Sequence, residues 1–240
     1  MCVLPISYIL IYIVVKGNNI KRRFVMNGVF TIEGMRPVRD GMTISRDSQL
    51  GTASKVTFFS MGSDTSISQE SYDRMTMYIG ASGRGEFLLG EKPDTVTLLP
   101  DTAVIVSEKT LCGMQTDNGL VYTEIILSKE NIMNKNVKAN EVFALKDLIS
   151  YEEGSIANMD VVSNPTMKYV LMAFDKGTGL TPHRAPGNAI VFALDGKATI
   201  GYEGKDYEIS AGECFHFEKN GLHSVTANER FKMALLLVLE

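Results

Sequence analysis

Residues 179–196 read GLTPHRAPGNAIVFALDG, and residues 209–223 read ISAGECFHFEKNGLH. Each segment combines a run of apolar residues, short enough for one β-strand, with a bend that contains Pro or Gly. The Asp195-Gly196 step favours a tight turn, because Gly accepts the positive φ that such turns need. The segments therefore predict neighbouring antiparallel strands, and they carry all three histidines of the chain, His183, His216 and His223.

The rest of the chain shows the same β pattern. From residue 50 onward, short apolar runs alternate with Gly, Asp, Asn, Ser and Pro at intervals of about 8 to 12 residues, which is typical of sandwiches and barrels. The two halves also resemble each other. Gly83 and Gly196 lie in similar segments 113 positions apart, while Cys112 and His223 end similar segments 111 positions apart. This repeat predicts two copies of one small β unit.

Composition excludes several classes of protein. The 240 residues include 45% hydrophobic and 22% charged side chains, close to globular averages, so a largely disordered or fibrous chain is excluded. A net charge of -4 gives little electrostatic support for nucleic-acid binding. Three widely spaced cysteines do not suggest a disulfide framework and fit a reducing cytoplasm.

The first 25 residues differ in character from the rest of the chain. An apolar run at 3–15 precedes basic residues at 16 and 21–23, whereas a secretory signal carries its charges before the apolar run. The run is also shorter than the roughly 20 residues that a membrane helix needs. We expect no stable membrane insertion and a cytoplasmic protein. Residues 1–25 are interpreted as dispensable, or as an extension that results from a wrongly assigned translation start. A peripheral anchor and an added strand are the alternatives.

Shifts in composition predict the domain boundaries. Residues 26–128 would form an N-terminal degenerate barrel and residues 151–240 a C-terminal barrel. Residues 129–150 would form a linker that starts as a polar segment. Asn140 can cap a helix, and apolar residues crowd one side of 142–149, so we expect a helix of two to three turns there.

The segments at 179–196 and 209–223 resemble the two motifs of the cupin family. Gly196 follows His183 by thirteen positions and His223 follows Gly212 by eleven, as in the family pattern. The resemblance is good over 168–239 and weaker over 50–128. It implies a bicupin, an all-β protein of two tandem jelly-roll barrels joined by the linker with its short helix. The C-terminal half is also similar to small single-domain cupins in which Ala-Pro-Gly closely follows the histidine.

The resemblance also implies a metal site that is incomplete in this chain. Full cupin sites use two His and one Glu from the first motif and one His from the second. Here only His183 and His223 match, because Ala185 stands in place of the second His and Ala189 in place of the Glu. Such a site takes Mn, Fe, Ni, Cu or Zn, and two imidazoles alone bind these ions weakly. Hydrogen bonding of the two histidines to a ligand or to each other is the alternative.

Three further residues are candidates for the same site. His216 could be a third metal ligand if its face of the strand points inward; otherwise Phe215 and Phe217 fill the barrel. Arg184 and Asn188 could bind a small ligand, although an Arg beside a Pro turn is more often a solvated charge.

The N-terminal half contains no histidine. Cys112 occupies the position equivalent to His223, and Glu70 or Tyr72 lies near the position equivalent to His183. A thiolate and a carboxylate are too few ligands to indicate a zinc site, so a structural barrel is the favoured interpretation. The serines of this half have no histidine in the same half to act as a base, which argues against a serine hydrolase of that type.

Three functions remain. The favoured one is non-catalytic binding or sensing of a small molecule in the C-terminal barrel, with or without a divalent metal. The alternative is a metal-dependent enzyme of the isomerase or dioxygenase type that acts on a small polar metabolite. A structural role comes third, because both motif histidines are present. The cupin resemblance and the exposed edges of jelly-roll sheets favour a homodimer.

Overall fold

A computed structural model describes residues 28–51, 54–91 and 94–239. In this part of the chain, the N-terminal half contains one short helix and ten of the strands: β1 (Val29–Phe30), α1 (Ile32–Met35), β2 (Thr43–Asp47), β3 (Lys55–Met61), β4 (Thr65–Glu70), β5 (Thr76–Gly83), β6 (Gly85–Leu89), β7 (Asp94–Leu98), β8 (Thr102–Val106), β9 (Cys112–Thr116) and β10 (Leu120–Ile126).

The remaining elements lie after residue 130. They are β11 (Ile132–Met133), β12 (Val142–Ala144), a 3-10 turn (Leu145–Asp147), β13 (Ile156–Asn164), β14 (Met167–Phe174), β15 (Gly179–Arg184), β16 (Asn188–Asp195), β17 (Lys197–Tyr202), β18 (Lys205–Ser210), β19 (Cys214–Phe217), β20 (Leu222–Ala227) and β21 (Phe231–Val238). The prediction of an all-β protein built from two tandem jelly-roll barrels is confirmed.

Each barrel consists of one large and one small antiparallel sheet. The N-terminal barrel combines the order β12-β8-β5-β10-β3-β2 with β4-β9-β6-β7. The C-terminal barrel combines β1-β19-β16-β21-β14-β13-β11 with β15-β20-β17-β18. Each interior is filled by apolar side chains from both of its sheets, including Phe87 and Tyr122 in the first barrel and Phe215 and Phe217 in the second.

The two barrels pack through the outer faces of their large sheets. Along β16, Ala189 and Val191 lie in the C-terminal barrel interior, whereas Ile190 and Phe192 lie in a core shared by the two barrels. This inter-barrel core is formed by buried residues of β3, β5, β8 and β10 on one side and of β14, β16 and β21 on the other. Strands buried on both faces need apolar residues at successive positions, which explains the unbroken apolar run in β16.

Three short strands lie in sheets to which the predicted domain boundaries did not assign them. Val29–Phe30 pairs with β19 at the edge of the C-terminal barrel, although composition assigned it to the N-terminal one. Within the predicted linker, Ile132–Met133 extends the C-terminal sheet and Val142–Ala144 extends the N-terminal sheet. Strands of two or three residues show no periodicity, so their partners could not be read from the sequence.

The helix predicted over 142–149 is wrong in length. Val142–Ala144 forms β12, and only Leu145–Asp147 makes a single 3-10 turn. Pairing of β12 with β8 satisfies the backbone there, and Leu145 is fully buried in the inter-barrel core. Asn140 does not cap a helix; its amide group hydrogen bonds to Ser107.

The interpretation of residues 1–25 falls outside the described residues. Within 28–51, 54–91 and 94–239, no helix has the length and apolar content needed to cross a membrane.

The predicted repeat is visible in the strand register. In the N-terminal barrel Glu70 pairs with Cys112, after a register shift that follows Ile67. In the C-terminal barrel His183 pairs with His223, after a matching shift that follows Leu180. The offsets between these pairs are the same 113 and 111 positions that relate the two halves of the sequence.

Candidate functional site

His183 and His223 lie side by side at one end of the C-terminal barrel. His183 is the fifth residue of β15 and His223 the second of β20, and they are directly paired between these strands. Cross-strand neighbours have adjacent side chains on one face of a sheet. Their ring centroids are 4.2 Å apart, with the rings inclined at 51°. The structure therefore brings the two motif histidines into contact.

Backbone carbonyls fix the orientation of both imidazoles. Nδ1 of His183 lies 2.8 Å from the Thr181 carbonyl oxygen, and Nδ1 of His223 lies 3.1 Å from that of Gly221. A carbonyl oxygen only accepts hydrogen bonds, so each Nδ1 donates. In a neutral imidazole this leaves Nε2 with its lone pair. The pair thus presents two acceptor nitrogens to a ligand.

The two rings have different surroundings. His183 is exposed, whereas His223 is only 8% exposed and stacks on Phe217, with ring centroids 4.0 Å apart. Burial lowers the pKa of His223 below its usual value, against the opposing effect of its hydrogen bond to Gly221. Electrostatic repulsion between the two rings, which acts when both are protonated, lowers that pKa further. His223 is therefore neutral at pH 7.

Tyr202 also belongs to this site, although the sequence did not identify it. It pairs with His223 across β17 and β20, and its ring centroid lies 5.7 Å from that of Phe217. Its hydroxyl accepts a hydrogen bond from the Glu218 backbone N–H at 3.3 Å. The sequence feature that could have identified Tyr202 is its position just before the Glu203-Gly204 hairpin turn, which places it at the end of a strand.

His216 does not join the pair. Phe215 and Phe217, its neighbours in β19, point into the C-terminal barrel, while Cys214 lies in the inter-barrel core. Because strand side chains alternate between faces, His216 shares the face of Cys214 and points away from the barrel interior. The proposed third ligand is therefore on the wrong side of the sheet, and the phenylalanines fill the barrel instead.

Arg184 and Asn188 hold the backbone around the site. Arg184, which is exposed, donates through a guanidinium nitrogen to the Asn220 carbonyl oxygen at 2.7 Å. The Asn188 side chain donates to the Leu50 carbonyl oxygen at 2.9 Å and accepts from the Lys219 backbone N–H at 3.1 Å. In this conformation, both side chains are hydrogen bonded to backbone groups of neighbouring segments.

A resident metal fits this site poorly. Ala185 and Ala189, at the positions of the missing family ligands, are each 2% exposed and pack in the barrel interior. Among the described residues, no group of three or more His, Cys, Asp and Glu side chains is placed to hold an ion. Transition metals usually take three or four protein ligands. Two imidazoles alone are below that number.

The equivalent position in the N-terminal barrel has different chemistry. Cys112 is buried, and burial raises the pKa of its thiol to about 12, so it is protonated at neutral pH. Metal ligation requires the thiolate. Glu70 is exposed and accepts a hydrogen bond from the Tyr72 hydroxyl at 3.2 Å. This pair does not resemble a zinc site.

Comparisons with known proteins agree with the fold. The Leptotrichia buccalis protein described as a "Cupin 2 conserved barrel domain protein" is 24% identical; the match covers 90% of this chain and 98% of that one, with a TM-score of 0.78. Salicylate 1,2-dioxygenase from Pseudoaminobacter salicylatoxidans, with gentisate adducts, is 10% identical over 87% of this chain and 80% of that one, with a TM-score of 0.59. No curated protein sequence matches.

A sequence-family match locates the relationship within the chain. Residues 170–239, which run from β14 to just past β21, match the family described as "Cupin domain". Both histidines of the contact pair lie inside this span. The segment 170–239 of the C-terminal barrel is therefore similar to a cupin domain, and the two-barrel fold is similar to that of a cupin-domain protein.

Proposed function

We propose that the C-terminal barrel binds a small molecule rich in hydroxyl or other hydrogen-bond donors, through Nε2 of His183 and Nε2 of His223, without catalysing a reaction. The observation that carries this proposal is the commitment of both Nδ1 atoms to backbone carbonyls. Each ring is thereby held in the tautomer that offers an acceptor. A ligand hydroxyl donating to such a nitrogen satisfies a polar atom that would otherwise be desolvated.

The walls of the site support a ligand that also has an apolar part. The half-buried Tyr202 provides an aromatic ring beside His223, which itself stacks on the buried Phe217. Small-molecule sites commonly combine such apolar walls with a few oriented polar atoms. The exposed His183 gives the ligand access from solvent, and the buried His223 provides the inner contact.

The second candidate is a metal-dependent enzyme of the isomerase or dioxygenase type, acting on a small polar metabolite. The observation that favours it is the same orientation of the imidazoles, because metal-ligating histidines commonly donate their other ring N–H to a carbonyl. Mn, Fe, Ni, Cu or Zn bound here would need further ligands from the substrate or from water. The likeness to salicylate 1,2-dioxygenase supports the fold alone.

A binding screen with matched variants tests the proposal. Small hydroxy and keto compounds are screened by ligand-observed NMR against the chelator-treated full chain and against His183→Ala and His223→Ala. We expect hits whose affinity falls about tenfold or more in both variants, since each loses one acceptor. His216→Gln is the matched control, because that histidine faces the opposite side of the sheet, and it should bind as the parent does.

Elemental analysis of the same preparations separates the two candidates. Protein that purifies without metal and still binds the hits supports metal-independent recognition. Near-stoichiometric Mn, Fe, Ni, Cu or Zn that disappears in both alanine variants would overturn it in favour of the enzyme. Hits that bind all variants equally would show that the imidazole pair is not the binding site.

Two predictions on the state of the protein accompany the proposal. We propose a homodimer, to be measured by light scattering on the purified chain; a monomeric mass would contradict it. We also propose a cytoplasmic location. Cell fractionation with a tagged full-length chain checks it, and recovery in the membrane or secreted fraction would contradict it.

A further inference from the structure

A cavity lies in the N-terminal barrel, outside the site proposed above. Its volume is about 100 Å³, smaller than the engineered cavity of about 150 Å³ that holds benzene. It can therefore enclose a compact group of a few non-hydrogen atoms, while the rest of a larger ligand extends past the exposed Tyr72. The lining comes from β3, β4, β5, β9, β10 and the loop after β4: Phe59, Ile67, Tyr72, Tyr78, Cys112, Gly113, Met114, Tyr122 and Glu124.

Aromatic rings form much of the cavity wall. Phe59 and Tyr122 stack with centroids 4.9 Å apart and rings inclined at only 3°, and Tyr78 lies 6.0 Å from Tyr122. Tyr72 is 43% exposed and stands where the cavity meets solvent. The faces of aromatic rings carry negative electrostatic potential. A cation that reaches an uncovered face of such a ring is attracted to it.

Acidic groups reinforce this potential. Glu124 follows Tyr122 by two positions in β10, so both side chains lie on the cavity side of the sheet. Burial raises the pKa of Glu124, and the positive charge of Lys55 lowers it by a smaller amount without an ion pair. Glu70 lies at the entrance, bonded to the Tyr72 hydroxyl. No Lys, Arg or His lines this cavity within the described part of the chain.

Two polar groups in the cavity have no hydrogen-bond partner among the described residues. The Tyr122 side chain is 1% exposed, yet its hydroxyl makes no hydrogen bond to them. The Glu124 carboxylate likewise makes no hydrogen bond or ion pair within 4.0 Å to the residues that the structure describes. Both groups line the cavity and are open to whatever occupies it, solvent or a ligand.

We propose that the N-terminal barrel binds a small organic ammonium ion, with its cationic group against Phe59, Tyr122 and Glu124. An anion would meet acidic groups and aromatic faces without a compensating cation in the lining. A metal ion would find no group of three His, Cys, Asp or Glu ligands in the described residues, and it would not use the aromatic walls. An ammonium ion with methyl or methylene groups complements both the rings and the carboxylate.

The test compares charged and neutral ligands of one shape. Choline and tetramethylammonium are titrated into the full chain by calorimetry and by NMR, alongside 3,3-dimethylbutan-1-ol, which has the shape of choline without its charge. We expect the cations to bind about tenfold or more tightly than the alcohol. Equal binding of choline and the alcohol, or no cation binding up to about 10 mM, would overturn the proposal.

Matched variants locate the binding. Glu124→Gln keeps the size of the side chain and removes its charge, so choline affinity should fall about tenfold or more. Glu86→Gln makes the same change in the same barrel at a carboxylate that pairs with Arg84 outside the cavity, and it should leave affinity unchanged. Equal affinity in the parent and Glu124→Gln would contradict the assignment. This experiment is independent of the imidazole site.

Discussion

The two barrels share one strand register and differ in the chemistry placed on it. Glu70 and Cys112 occupy the paired positions that His183 and His223 occupy 113 and 111 residues later. Tyr72 likewise lies 113 positions before Ala185. The N-terminal barrel thus has acidic and aromatic groups at the equivalent end, and the C-terminal barrel has imidazoles. The fold fixes where side chains converge, and the residues at those positions determine which ligand fits.

The largest expected effect tests the shared backbone. Gly196 has a φ of 71°, and a Cβ there would lie 1.9 Å from the Arg230 carbonyl oxygen. The equivalent Gly83 has a φ of 76°, with a Cβ position 2.2 Å from the Gly119 oxygen. Replacing either by Val should lower the free energy of unfolding by about 3 kcal/mol or more, as measured by chemical denaturation.

Gly204→Ala is the control for this pair. Gly204 has a similar φ of 79°, but nothing lies within 4 Å of its Cβ position. Its replacement should cost only about 1 kcal/mol, from backbone strain. If Gly83→Val lowered the free energy of unfolding only slightly while Gly196→Val lowered it strongly, the two turns would not be equivalent.

A smaller effect is expected at a brace that only the C-terminal barrel has. Asn188 makes hydrogen bonds to Leu50 and Lys219, whereas the equivalent position in the other barrel is Met75. Asn188→Ala should cost about 2 kcal/mol, because two backbone groups lose their partner. Asn158→Ala, at an exposed strand position, should change stability by less than about 0.5 kcal/mol. If the two variants lost the same stability, the hydrogen bonds of Asn188 would not brace the barrel.

The pH dependence of stability should have opposite signs in the two barrels. The folded-state pKa of His223 is lowered, so the unfolded chain binds that proton more readily. Stability should therefore fall as the pH drops below about 6.5, the usual histidine value. His223→Gln should flatten the slope of the melting temperature between about pH 7 and pH 5. An unchanged slope would contradict the burial of a neutral imidazole.

Glu124 provides the opposite case. Its folded-state pKa is raised, so the folded chain holds that proton more strongly, and stability falls as the pH rises above the unfolded value of about 4.3. Glu124→Gln should therefore raise the melting temperature at neutral pH and have less effect near pH 4. A variant that melts lower at neutral pH would show that the carboxylate is stabilised by a partner.

The smallest effect is expected at Arg184, whose equivalent in the other barrel is Ser71. The guanidinium of Arg184 is exposed and contacts only one carbonyl oxygen among the described residues, that of Asn220. Arg184→Ala should change the free energy of unfolding by less than about 1 kcal/mol. Ligand affinity in the C-terminal barrel should stay within about threefold. A tenfold loss of affinity would restore Arg184 as a ligand contact.

The sequence predicted the fold well because the signal repeats. Turn residues at regular spacing and the two offsets between the halves are properties of long segments, and the register of the barrels follows them. The exchanged strands were missed because they contain two or three residues, and their pairing depends on free edges in the other barrel. The helix over 142–149 was overestimated, because apolar residues facing the inter-barrel core resemble one face of a helix.

The candidate site was predicted only in part. Motif spacing indicated His183 and His223, and the structure places them in contact. The inward or outward direction of His216 depends on which face of β19 meets the other barrel, and one sequence does not contain that information. Tyr202 was missed because its role depends on cross-strand pairing with His223. The cavity around Glu124 was missed because its rings come from separate strands.

The proposed binding mode requires both imidazoles to be held as Nδ1–H tautomers with Nε2 available to a ligand. Long-range proton–nitrogen NMR spectra of the chelator-treated protein at neutral pH test it directly, with His183→Ala and His223→Ala used to assign the signals. We predict a protonated Nδ1 and an unprotonated Nε2 for both residues. Nε2–H tautomers, or a charged His223 ring at neutral pH, would contradict binding through Nε2.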